Sequence, residues 1–136
     1  MVYFQTDYLQ VEHHEANNVL ITQWYSDCSS LQYRQALINI ARIARELQVE
    51  YAVMDRRLLQ PVSEEDLHWT CTIFAKAYTK LPLKKVAVIH PFHPETELQQ
   101  QLFYKQLESY IETRSFSDLT SAYDWLTTVP SVKRHS

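Results

Sequence analysis

Two short polar clusters follow apolar runs in this sequence, and acid/base or ligand chemistry would sit there. Asp55-Arg56-Arg57 follows Tyr51-Ala52-Val53-Met54, and His90-Pro91-Phe92-His93 follows Val86-Ala87-Val88-Ile89. An imidazole titrates near neutral pH and a carboxylate beside it can orient it, so Asp55 with His90 or His93 is a candidate acid/base pair or the start of a metal shell. Spacing fixes no third ligand, so neither a metal nor a cofactor is expected. Ser63 opens the next helical pattern with Glu64, Glu65 and Asp66. A helix start there would offer N–H donors to an anion, and Arg56 or Arg57 would offer a guanidinium fork. Asp55, Arg56, Ser63, His90 and His93 are therefore the candidate ligand-binding residues. Each also has an ordinary structural use: a strand-end aspartate accepts loop N–H groups, and Ser63 and His93 can cap helices. No catalytic set is complete, so an enzyme using His90 or His93 as general base ranks last.

The remaining reactive residue types carry less. His13-His14-Glu15 precedes a turn signal and reads as a solvated turn; adjacent strand residues point to opposite faces, so the two imidazoles would not share one ion. His68 reads as a surface or boundary residue. Cys28 sits in a Ser/Asp-rich stretch at a helix start, where the dipole would lower a thiol pKa. Cys71 falls on an apolar helix face and reads as a small core residue.

Composition excludes whole classes of chemistry. The 136 residues include no glycine, against about 7% in an average protein. Glycine lets backbone approach a phosphate or turn through positive φ at little cost. No G-x-G-x-x-G turn, Walker loop or G-x-S-x-G elbow is present. A net charge of −3 gives no electrostatic reason to bind nucleic acid or an anionic membrane. The two cysteines lie outside any C-x-x-C pattern and no positively flanked apolar leader opens the chain, so free thiols in the cytoplasm are expected. No apolar run approaches membrane-span length.

The elements that must position these residues begin with β-patterned sequence. Val2–Gln5, Tyr8–His13 and Val19–Trp24 read as strands, with Asn17-Asn18 as a glycine-free hairpin turn between the second and third. Helical spacing follows at Tyr33, Leu37, Ile40, Ala41, Ala44 and Leu47. Tyr51–Met54 and Val86–Ile89 are short apolar runs that suit strands buried on both faces. Between them, Ser63 and Asp66 resemble a capping box opening a helix that buries Leu67, Cys71, Phe74, Ala75 and Tyr78. Pro94 opens a helix expected to bury Leu98, Leu102, Phe103, Leu107, Tyr110 and Ile111. A strand near Thr113–Phe116 leads to a last helix capped by Ser117, with Val129-Pro130 as its stop. The spacing predicts one α/β domain over 1–129 and a flexible tail over 130–136. Its sheet is mixed, with an N-terminal antiparallel hairpin and then parallel strands, and is covered by about four helices. Tyr78, Tyr104, Tyr110 and Tyr123 sit beside apolar helix positions, where they serve either core or interface.

Three segments carry a family resemblance. Tyr51-Ala52-Val53-Met54-Asp55 resembles a central strand ending in aspartate, and Asp66-Leu67-His68-Trp69 resembles the acidic-to-tryptophan spacing of the helix after it. Phe116-Ser117-Asp118-Leu119-Thr120-Ser121-Ala122-Tyr123-Asp124-Trp125-Leu126 resembles a closing helix. Together they resemble the STAS-like fold of sulphate-transporter and anti-sigma-factor-antagonist domains, and more specifically its small bacterial members of unassigned function. The resemblance implies a non-catalytic protein-interaction or regulatory module with a protein partner or a homo-oligomer. Regulatory STAS domains follow the strand aspartate with a phosphorylatable serine pair and a glycine; here Arg56-Arg57 stand there, so the usual phospho-switch is missing, and Ser63 is the nearest serine. The alternative is a small-ligand binder or sensor, for an anionic or lipid-like molecule, at the strand-end crevice near Asp55 and His90.

Overall fold

The computed structural model describes residues 1–128. The stop at Val129-Pro130 and the tail over 130–136 lie outside the described residues. Six strands, β1 (Val2–Gln5), β2 (Leu9–His14), β3 (Val19–Trp24), β4 (Tyr51–Asp55), β5 (Lys85–Ile89) and β6 (Glu112–Phe116), form one sheet in sequence order. The first three pair antiparallel and β3 through β6 pair parallel. The expected α/β architecture is therefore present.

Helix α1 (Ser30–Leu47) joins β3 to β4. Helix α2 spans 64–78 in three registers: Glu64–Trp69 is α-helical, Thr70–Phe74 is a π turn, and Ala75–Tyr78 is α-helical again. The π turn coincides with two threonines bonding back one turn, Thr70 Oγ1 to Asp66 O and Thr72 Oγ1 to His68 O, each at 2.7 Å. Helix α3 (Pro94–Leu107) joins β5 to β6, and α4 (Leu119–Thr127) follows β6.

Because each strand is added beside the last in one direction, right-handed crossovers bring α1, α2 and α3 to the same face. There Trp24, Leu37, Ile40, Phe74, Tyr78 and Phe103 join the main core over Leu20, Met54 and Val88. Helix α4 alone covers the other face, laying Ala122 and Leu126 on Val19, Ile21, Val53, Ala87 and Ile89. Burying each such aliphatic side chain is worth about 1.5–3 kcal/mol, so strands sandwiched on both faces explain why β3, β4 and β5 read as continuous apolar runs.

Capping departs from expectation in two places. Ser63 Oγ accepts from Asp66 N at 3.1 Å, but the Asp66 carboxylate is spent on Ser30 and Arg34, so no reciprocal box forms there. The box with both halves is Ser29 with Gln32, at the start of α1. Helix α4 is capped by Asp118, which accepts from Ser121 N at 2.8 Å, rather than by Ser117.

Helix α3 departs further, for its inward face is partly polar. Thr96 and Gln100 are buried with Phe103 and Leu107, whereas Leu98 and Leu102 are 63% and 51% exposed, and Tyr110 beyond the helix is 66% exposed. The loop after β4 runs under this helix and its backbone needs partners. Thr96 Oγ1 donates to Leu59 O at 3.1 Å, and Gln99 clamps both the N–H and the C=O of Val62 at 2.9 Å. Satisfying buried backbone groups fixes the rotation of α3, and the leucines are carried outward.

Candidate functional site

Strand alternation at the end of β4 separates the two leading candidates. Asp55 faces the α4 side, while Arg56 continues the row of Ala52 and Met54 into the main core. Asp55 Oδ1 accepts from Arg57 N at 3.2 Å and Arg57 Nε at 3.0 Å; Oδ2 accepts from Arg57 Nη2 at 2.7 Å and Gln23 Nε2 at 3.4 Å. Burial alone would push this carboxyl up, but the Arg57 and Gln23 hydrogen bonds outweigh it and hold the group below the usual carboxylate range. An ionised carboxylate with both oxygens engaged clamps the turn after the strand. It is a poor general base at neutral pH.

Arg56 is 3% exposed. Its backbone N–H extends the ladder to Ile89 O at 3.1 Å, and its guanidinium lies 6.0 Å from the Trp24 ring centroid. It points into the core and not into the strand-end crevice.

The other three candidates each have local partners. Ser63 caps α2. His93 Nδ1 accepts from Glu95 N at 3.2 Å as the cap of α3. His90 is exposed, with Nδ1 3.6 Å from Glu97 Oε1. No hydrogen bond joins Asp55 to either imidazole among the described residues, and no cluster of His, Cys, Asp or Glu there could hold a metal ion. The five residues thus occupy separate environments.

A groove of about 240 Å³ does open at the strand ends, between the starts of α1 and α2. Ser26, Asp27, Cys28, Ser30, Ser63 and Asp66 line it. Asp66 Oδ1 accepts from Ser30 Oγ and Arg34 Nε, both at 2.7 Å, which ties the two helix starts together. The Cys28 thiol is pushed up to about 11, first by burial and then by Asp27 and Asp66. This reverses the lowering expected from a helix N-terminus: burial, and after it two nearby carboxylates, outweigh the dipole and disfavour the thiolate. The same carboxylates repel an anion, so the helix starts offer a poor anion seat.

One further position was hidden from the sequence. His13 is buried inside β2, with Nε2 2.8 Å from Asn18 Oδ1, not in a solvated turn. His14 does point to the other face, beside Tyr123. The four tyrosines do not share a surface: Tyr78 is core, Tyr104 is half-buried, Tyr110 is exposed and Tyr123 rides α4 on the opposite face.

No helix among the described residues is long and apolar enough to cross a membrane. Compared with models of protein families, with curated proteins and with solved structures, the chain matches none.

Proposed function

We propose that this protein is a non-catalytic regulatory module of the STAS-like kind that pairs with a second copy of itself through the crest of α3. One observation carries the reading: the helix turns threonine and glutamine inward and presents Leu98 and Leu102 to solvent. The needs of the loop beneath explain the inward polar residues. They do not explain why the outward positions are leucine.

The flanking charges indicate the occupant. Glu95, Leu98, Leu102 and Lys105 follow i, i+3, i+7, i+10 spacing, the seam of a two-helix coiled coil. A two-fold axis midway between the leucines sets Leu98 of one copy against Leu102 of the other. The same axis sets Glu95 against Lys105, twice, so the seam is self-complementary in charge as well as shape. Neither Glu95 nor Lys105 has an ion-pair partner among the described residues. The separate environments of Asp55, His90 and His93 support the non-catalytic part, and the three STAS-like segments support the regulatory part.

Sedimentation equilibrium tests the pairing. The wild type should show a reversible monomer–dimer equilibrium, weak because the seam is short. Leu98→Glu with Leu102→Glu should leave only monomer. Glu95→Lys alone or Lys105→Glu alone should weaken the dimer, and the two together should restore it. A wild-type monomer at its highest soluble concentration, or no rescue in the double charge exchange, refutes the pairing.

A further inference from the structure

A guanidinium stays charged at any physiological pH and offers five N–H donors. Buried in apolar surroundings, it requires a counter-charge or a full set of acceptors. Arg56 has neither among the described residues. None of the ion pairs includes it, its Nε has no hydrogen-bond partner, and Nη2 reaches only the weak acceptor Met54 Sδ, at 3.5 Å. Trp24, whose ring faces the guanidinium, also has an unpartnered buried Nε1. Arg56 lines a cavity of about 10 Å³ with Thr22, Leu37, Ala52, Phe74 and Tyr78. That is room for one water-sized occupant.

The character of the unmet group identifies the occupant. Of the two orphans, Arg56 lines the cavity, and its guanidinium donates hydrogen bonds but cannot accept one. A water would satisfy a donor but leave the charge uncompensated. An anion answers both needs. We infer that this cavity is an internal binding site for a single monatomic anion, of chloride size, held by the Arg56 guanidinium between β4 and α2. The apolar lining favours a weakly hydrated ion, because stripping water from the ion is the main cost of entry. The site lies inside the core and is independent of the α3 seam.

Thermal unfolding in matched sodium salts, followed at fixed protein concentration, tests it. Chloride and bromide should each raise the wild-type midpoint in a saturating way, by about 5 °C or more near saturation. Formate and gluconate, too large for the cavity, should not. Arg56→Met, which keeps the bulk and removes the charge, should abolish the difference between salts. Crystals of the wild type soaked in bromide supply a second readout that needs no folded variant, and should show an anomalous peak beside the Arg56 guanidinium. Equal midpoints in all four salts, or bromide found only on surface residues with water or nothing at Arg56, would overturn the inference.

Discussion

Asn18 Nδ2 donates to Gln48 O at 3.0 Å, and these are the two positive-φ residues of the described chain, at 52° and 53°. One closes the β2–β3 hairpin and the other ends α1, the two places where glycine would ordinarily stand. The pair fastens the hairpin to the helix end, so the missing glycines are replaced by side chains that take part in the fold.

The same φ should respond in opposite ways to the same substitution. Gln48 gives up only a surface bond from Nε2 to Arg45 O, so Gln48→Gly should relieve left-handed strain and stabilise by up to about 1 kcal/mol. Asn18 contributes both the bond to Gln48 and the 2.8 Å contact with buried His13. Asn18→Gly should therefore destabilise by about 1–2 kcal/mol. Urea midpoints of the two variants decide this, and a shared sign would contradict it.

Asp66 joins the starts of α1 and α2, and its side chain is 5% exposed against 35% for Arg34. Asp66→Ala removes the acceptor shared by Ser30 and Arg34 and should cost about 2 kcal/mol, less than a fully buried pair because Arg34 can turn to water. Arg34 also lies 5.1 Å from the Trp69 ring centroid. The loss should accordingly appear in tryptophan fluorescence as well as in the urea midpoint. An unchanged midpoint would show that Ser63 alone caps the helix.

Much of the architecture was legible because strands buried on both faces leave unmistakable apolar runs. Val19–Trp24 was bounded correctly from pattern alone, and Tyr51 and Val86 marked β4 and β5 to within a residue at either end. On helix α3 apolar spacing identifies the buried Phe103 and Leu107 but not the outward turn of Leu98 and Leu102. The phase of the helix is set instead by the backbone of a loop passing beneath, a long-range demand with no local signature. The sequence groups Asp55 with Arg56 at one strand end, whereas strand alternation carries the two side chains to opposite faces of the sheet. What the sequence withheld is that, among the described residues, no carboxylate forms an ion pair with Arg56.

Stability should fall in acid by a specific route. The carboxyls of Asp55 and Asp66 are both held low, because hydrogen bonds from Arg57 and Gln23, and from Ser30, Arg34 and Ser63, outweigh burial. A depressed folded pKa means the unfolded state binds protons first as pH drops. The contribution is complete above the unfolded value near pH 4 and is lost as pH falls through the lower folded values. Denaturant midpoints should be level from neutrality to about pH 5 and drop below about pH 4. Asp66→Asn and Asp55→Asn should show a smaller drop, and an equally steep one would place the acid sensitivity elsewhere.

Cys28 should be a slow thiol in an accessible groove. Its pKa, pushed up to about 11, leaves roughly a hundred-fold less thiolate at neutral pH than an ordinary cysteine has. Since the thiolate is the nucleophile, alkylation by iodoacetamide should run far more slowly in the folded protein than in urea. Peptide mass spectrometry separates Cys28 from Cys71, whose thiol burial also pushes up. Shielding alone would give the same slow rate, so the charge effect needs its own readout. Asp27→Asn removes one of the two carboxylates without opening the groove, and should speed Cys28 alkylation at neutral pH while leaving Cys71 unchanged. The gain should shrink as pH rises past the thiol pKa, because the thiolate fraction then approaches completion in both proteins. A pH-independent gain would mean that the substitution had merely exposed the sulfur.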